Sequence, residues 1–481
     1  VRAKNFNLIG GIPKSMERAA CPKPAGYPQT DNEGIGDHML LVGNGLLVSM
    51  DEEVGVIEEG ALLIKGDTIA EIGDTQKLKK VYPDAEFIDA RGRLILPGMI
   101  NSHMHLYSTF ARGLAISKPP HTFVQILERL WWRLDKGLLL EDVYYSALVL
   151  LIDCVKNGTT TIIDHHASPG TVTGSLGKIV EAVEATGVRT VLAYEVSDRD
   201  GDTVRDAGIN ENMEAIARYA AGEHPLVRAL FGLHASLTLS DETLALCRNA
   251  LGDYGEKVGF HIHVAEGIED INDSLARYGK RVVERLADRG ILGSNTIAAH
   301  CVHVNDREIR ILAETGTMVV HNPESNMGNA VGVAPVLKML QEGVLLGLGT
   351  DGYTADMFES IKVANILHKL DQKNPSAAWA EIPQMAFTNN RKIARRIFAR
   401  DLGVLRPGAA ADVIIVDYHP PTTLTAETAY FHLLFGVSGG RVDTTIVNGS
   451  VRMLERKLQG IDEAAICAKA KGLAADLWSR I

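Results

Sequence analysis

Cysteine is scarce and shows no pairing pattern. The 481 residues hold five, Cys21, Cys154, Cys247, Cys301 and Cys467, an odd number at wide spacing with no CxxC pair. This excludes a disulfide framework and a cysteine-rich structural zinc site, and it fits a reducing compartment, so the expected location is the cytoplasm. A long apolar run is also missing. The longest candidate, Val143–Ile152, has ten residues against the ~20 that a membrane span needs. The N-terminal stretch has no compact apolar core of the kind a secretory signal carries. There is no basic excess either: 49 Lys and Arg stand against 60 Asp and Glu, a net charge of -11. A dedicated nucleic-acid binder is therefore not expected, and with no apolar run of spanning length neither is a membrane partner.

Histidine, in contrast, is concentrated. Twelve of the 16 fall between His103 and His321, and histidine is both the commonest metal ligand and a common acid-base group. The chemistry is expected there.

The chain divides by texture. Residues 1–38 are rich in Gly, Pro and polar residues, without a period, and read as an irregular arm. From Met39, short apolar runs separated by Gly-Asn, Gly-Asp and Arg-Gly turns predict strands, and the same texture returns in ADVIIVDYH and TTIVNGSVRML. Residues 39–97 and 405–460 are thus expected to build one small β-sandwich domain from both chain ends. Between them, over 98–404, strands such as TTTIIDHH, RTVLAY and TMVVHN alternate with amphipathic helical stretches that often end at Gly. About eight such repeats predict an α/β fold of the (β/α)8 TIM-like barrel kind. An open doubly wound sheet ranks lower, because no Gly-rich phosphate loop opens the first unit. Residues 461–481 read as a C-terminal helix.

Barrel active sites gather at the C-terminal ends of strands. LILPGMINSHMHLYS ends in His103 and His105, two apart on an extended chain and so able to reach one ion. GFHIHVAE carries His261, His263 and Glu266, with His263 as a third ligand and Glu266 as a nearby proton carrier. His261 is expected to turn away into the layer between barrel and helices. TIAAHCVH carries His300 and His303, VRALFGLHA ends in His234, and VLLGLGTDG ends in Asp351, a fourth ligand and a base. Three His and one Asp with an open water position is the composition of a catalytic zinc site.

In this order, NSHMH, GTTTIID, FHIHVAE, AAHCVH, HNPESNM and GLGTDG resemble the amidohydrolase superfamily. The likeness is to its branch of cytosine, guanine and S-adenosylhomocysteine deaminases and triazine hydrolases, and it runs from about residue 39 to 460. The segments TFARGLAISKPPHTFVQILERLWWRLDKGL and DHHASPG look most like the aminohydrolases called SsnA. The resemblance implies metal ligands His103, His105, His263 and Asp351, with Glu266 as proton shuttle, His300 holding the attacking water and His234 touching substrate. Strand four, VRALFGLHASLTL, has no Lys to bridge two metals, so one divalent ion is expected, zinc with iron as the alternative. His166 and Trp132 are candidates for the substrate wall, against a plain packing role for each.

The implied activity is hydrolytic deamination of an aromatic N-heterocycle of purine, pterin or pyrimidine type. Cyclic-amide opening and triazine dechlorination are alternatives that use the same residues. A catalytically idle metal-binding accessory protein is the alternative of another class. By analogy with relatives, a homo-oligomer, dimer or larger, is expected.

Overall fold

The computed structural model describes residues 39–481; the arm expected over 1–38 lies outside the described residues. The first part of the chain forms β1 (Met39–Val48), β2 (Val56–Lys65), β3 (Thr68–Asp74), β4 (Glu86–Asp89) and β5 (Leu94–Pro97). Nine further strands follow: β6 (Met99–Met104), β7 (Thr159–Asp164), β8 (Arg189–Leu192), β9 (Val227–Ala229), β10 (Phe231–Ala235), β11 (Phe260–Val264), β12 (Ile297–His300), β13 (Met318–His321) and β14 (Leu346–Leu348). The last four are β15 (Val413–Val416), β16 (Val442–Val447), β17 (Ser450–Leu454) and β18 (Lys457–Leu458).

The strands from the two ends pair in the order β18-β17-β16-β15-β5-β1-β2-β3, with β4 also on β1. Ile69 N donates to Ala409 O and Gly408 N to Ile69 O, at 2.9 and 2.8 Å, so the far edge folds back over the sheet. It encloses a core of its own, including Leu40, Leu62, Ile69, Ile95, Val413 and Ile446. β1 and β2 run antiparallel, and both faces are covered: Leu40, Val42, Leu62 and Ile64 pack into this core, and Leu41, Ala61 and Leu63 pack with Leu78 on the other side.

The middle strands are all parallel, β6-β7-β8-β9 and β10-β11-β12-β13-β14. β9 and β10 are two pieces of one stave interrupted at Leu230: β9 pairs back with β8 and β10 forward with β11. Bridges Val196↔Leu233 and Met104↔Asp351 join the two sheets, closing an eight-stave barrel. Gly232 is required at the first junction, since a Cβ there would lie 2.2 Å from Tyr194 O. The staves are buried on both faces, which is why they read as apolar runs rather than alternating ones.

Two fastenings bear on the site. Arg189, at the start of β8, is fully buried and pairs with Asp412 at 3.3 Å and with Asn448 Oδ1 at 3.0 Å, tying the barrel to the β domain. The C-terminal helix, Glu463–Arg480, buries Leu477 against Gly137, and Trp478 Nε1 donates to Phe110 O at 2.8 Å. It thereby braces the segments that follow the HxH pair. No helix among the described residues is long and apolar enough to cross a membrane.

Candidate metal centre and active site

The chain turns sharply as it leaves several staves. Ala265, His300, Cys301 and Asp351 have φ of 49, 72, 49 and 56°, left-handed conformations that non-glycine residues seldom adopt. Such strain persists only where surrounding structure imposes it. Here it falls where the strand-end side chains turn into one space.

In that space His105 Nε2 lies 2.9 Å from Asp351 Oδ1 and 3.2 Å from His263 Nε2, and His103 Nε2 lies 3.5 Å from Asp351 Oδ1. A tetrahedral ion with bonds of about 2.0–2.1 Å has ligand-ligand edges of roughly 3.3–3.4 Å, so these separations suit one. His103 Nε2 is buried with no hydrogen-bond partner. The outer ring nitrogens are committed elsewhere: His105 Nδ1 to His165 O at 2.5 Å, His263 Nδ1 to His234 O at 2.9 Å. Each of these two must carry its proton on Nδ1, leaving the Nε2 lone pair for a metal. Three overlapping donor groups among the described residues could hold an ion: His103, His263, His300 and Asp351; His105, His165, Glu195 and His263; and His103, His165 and His261. The four expected ligands span the first two, linked by the short His105–Asp351 and His105–His263 contacts.

The charges fit the same reading. Burial alone would push His105 down, but the Asp351 and Glu195 carboxylates reverse this and hold it well above the ordinary histidine range. Burial would raise Asp351, and His105, His103 and His300 instead keep it well below the usual carboxylate range. Burial holds His103 down at about 4 and His263 lower still than usual, so both are neutral donors near pH 7. A proton on His105 occupies the place a cation would take.

Glu266 and His300 stand beside these groups. His300 Nε2 lies 3.6 Å from Glu266 Oε2 and 3.7 Å from Asp351 Oδ2, and Asn329 Nδ2 donates to Glu266 Oε1 at 3.2 Å. Burial pushes the Glu266 carboxyl above its ordinary range, with His300 opposing and Asp351 adding to the shift. A carboxyl that keeps its proton to higher pH than usual suits a proton carrier.

His105, His263, Glu266 and Asp351 line one pole of a cleft. Phe123, Leu127 and Trp131, four residues apart, line its apolar wall. A π-helical turn over Leu127–Trp131 then carries Trp132 and Asp135 to the cleft as well. Trp132 Nε1 and Asp135 Oδ1 are buried without partners. The other Asp135 oxygen accepts from Arg199 at 2.8 Å, and the Arg199 guanidinium lies 4.9 Å from the centre of a Trp132 ring. Burial raises Asp135 to about 6 against the pull of Arg199.

Two sequence expectations change. His166 does not line the cleft: it is fully buried, with Nε2 3.0 Å from Ser168 Oγ, because successive residues face opposite ways and His165 takes the inward position. His261 does not turn away. Two residues from His263, it shares that residue's face, and its Nε2 lies 2.9 Å from His103 Nδ1, its ring stacked on His165 at 4.2 Å. His234 and Trp132 do line the cleft, and His303 lines a neighbouring cavity instead.

Asp135, Glu195 and Asn326 had no place in the sequence reading. Glu195 Oε1 lies 3.3 Å from His105 Nδ1, and its Oε2 3.7 Å from His234 Nε2. The only signal for it was an acid just beyond the strand RTVLAY. Asn326 lies within the HNPESNM motif.

The amidohydrolase family model matches residues 94–452. Among curated proteins, the chain is 33% identical over 447 residues to a 5'-deoxyadenosine deaminase of Methanosarcina mazei, covering 92% of this chain and 99% of that one. It is 34% identical over 420 residues to a 5-methylthioadenosine/S-adenosylhomocysteine deaminase of Thermococcus sibiricus, covering 86% and 94%. Among solved structures, an adenosine deaminase from Xanthomonas campestris with bound zinc superposes with a TM-score of 0.80 at 24% identity, covering 92% and 99%.

Proposed function

The chain belongs to the amidohydrolase family, and we propose that it is a metal-dependent aminohydrolase that releases ammonia from a purine-type nucleoside. The observation that carries this reading is the convergence of His103, His105, His263 and Asp351 beside Glu266 and His300, where His105, His263, Glu266 and Asp351 line one pole of a cleft. Those four residues would hold one divalent ion, zinc in the first instance. Such an ion supplies Lewis acidity that makes water a nucleophile near neutral pH.

The chain's own groups do the rest. His300 orients the attacking water, whose two protons pass in turn, one to Glu266 and one to Asp351. Glu266 protonates a ring nitrogen of the substrate, making the neighbouring carbon electrophilic. After attack, a carboxylate returns a proton to the amine as its carbon–nitrogen bond breaks. Amine and water become oxo-heterocycle and ammonia, with no net proton gained or lost. The raised carboxyl of Glu266 supports its part.

The nucleoside assignment rests on the relatives named above and on the cleft's far wall. Trp132 Nε1–H is a donor and Asp135 Oδ1 an acceptor, both unpartnered, which suits hydroxyl groups on a ring substituent. His234 contacts the ring in this reading. The same reading includes a homo-oligomer, whose contact would cover exposed Ile366, Leu370 and Phe435; sedimentation tests that part.

Ammonia release from 5'-deoxyadenosine, adenosine, guanine, pterin and cytosine tests the reading, with Glu266→Gln as control. Turnover of a nucleoside by the wild type, lost in the variant, supports it. Ring opening without ammonia, or full activity in Glu266→Gln, overturns it.

A further inference from the structure

The route from His300 into the barrel wall is a line of four hydrogen-bonding side chains. His300 Nδ1 lies 2.9 Å from Asn326 Oδ1. Asn326 Nδ2 lies 3.5 Å from His321 Nδ1, and His321 Nε2 lies 3.1 Å from His368 Nε2. His300 ends β12, His321 ends β13, Asn326 belongs to the short helix Pro323–Gly328, and His368 lies in the helix Met357–Asp371. All four are buried. None except His300 has a part in the reaction described above.

Each contact needs one donor and one acceptor, so the four groups are ordered together. With the Asn326 carbonyl toward His300, Nδ1 of His300 donates. The Asn326 amide then donates to His321 Nδ1, and His321 must carry its proton on Nε2, which donates to His368 Nε2. In the opposite order every donor becomes an acceptor, and His300 would carry its proton on Nε2, against the reacting water. Burial holds His321 well below the ordinary histidine range and His368 at about 4, so neither can donate from both nitrogens near pH 7. With His321 and His368 neutral, the line from Asn326 to His368 has these two orders and no mixture without an unpaired contact.

We propose that His321 and Asn326 are positioning residues that hold the proton of His300 on Nδ1 and so keep its Nε2 turned to the attacking water. The chain moves no proton to solvent, because the reaction is proton-neutral. It fixes an orientation, as hydrogen-bond partners behind catalytic and ligating histidines do. The role in turnover rests on the deaminase reading; the placement of the protons does not.

The kinetic test uses the zinc-loaded full chain. His321→Leu and Asn326→Leu are expected to lower kcat by about 10-fold to 100-fold, the usual cost of such a partner, with KM unchanged. His321→Gln, which keeps an acceptor for the Asn326 amide, restores most of kcat. A purely structural role would move neither kcat alone nor respond to Gln. Neutron diffraction of the zinc-loaded protein tests the placement without activity: deuterium on His300 Nδ1 and His321 Nε2 is expected. Wild-type kcat in His321→Leu, failure of Gln to restore it, or deuterium on His321 Nδ1 overturns the proposal. A wild type that turns over no nucleoside sinks the deaminase reading alone, and the deuterium positions then decide this one.

Discussion

His261 Nε2 lies 2.9 Å from His103 Nδ1, so a histidine outside the expected ligand set holds the ring of one inside it. Loss of such a partner commonly weakens metal binding by about 10–100-fold. His261→Ala is therefore expected to lower zinc affinity by that factor, measured by competition with a chromogenic chelator, with the folded content unchanged by circular dichroism. Unchanged affinity would mean that the contact only fills space.

The Asp135 carboxyl gives a pH dependence for substrate capture. Burial, opposed by Arg199, places it at about 6. Below that value it gains a proton and stops being a full acceptor, so KM for a nucleoside is expected to rise as pH falls from 7 to 5. In Asp135→Asn that rise should disappear, with KM high throughout. Initial-rate measurements at fixed zinc check both statements.

Acid should unfold the metal-free protein steeply. Burial depresses His166 to about 3 and His368 to about 4, and it pushes His165, His234 and His321 well below the ordinary range. Between those values and ~6.5 the unfolded chain binds protons that the folded chain refuses. Their contribution is complete above ~6.5 and is lost as pH falls, by about 1.4 kcal/mol per pH unit for each such proton. His105 runs the other way: held above its ordinary value, it favours the metal-free fold at low pH and loses that contribution as pH climbs through the raised value. The buried carboxyls of Asp135, Asp164, Asp270 and Glu324, pushed up to about 6, 7, 7 and 8, act in the same sense as His105, but the depressed histidines, with His103, His261 and His263 among them, outnumber these groups, so the urea midpoint at pH 5 should lie below that at pH 7.

Arg189 joins the barrel to the β domain through Asp412, with both side chains 1% exposed. Arg189→Met leaves Asp412 buried without its cation, a change that typically costs about 3–5 kcal/mol. A matching fall in unfolding free energy is expected. The double variant Arg189→Met, Asp412→Leu should recover much of it, because two apolar groups leave no charge stranded.

The barrel, and the gathering of the strand-end histidines with Asp351, were legible because both depend on local rules. Parallel staves announce themselves as apolar runs, and His103, His105, His263 and Asp351 each sit where such a run ends. The two-residue strand period puts His261 on the same face as His263 and not on the opposite one. The far wall was harder. Asp135 follows the π-helical turn at Leu127–Trp131, which adds a residue to the turn and rotates everything after it, so ordinary helical spacing does not say which way it faces. Glu195, beyond β8, meets His105, beyond β6, only because β6, β7 and β8 lie side by side, and the line from His300 to His368 joins four elements that no sequence pattern connects.

The central claim is that one metal ion held by His103, His105, His263 and Asp351 makes this chain a deaminase. The most direct test is ammonia release from 5'-deoxyadenosine during titration of metal-stripped protein with zinc. Release should rise from near zero and level off at one equivalent per chain, and His263→Ala should stay flat. Full release from stripped protein, or none at any zinc level from any nucleoside, would contradict the account.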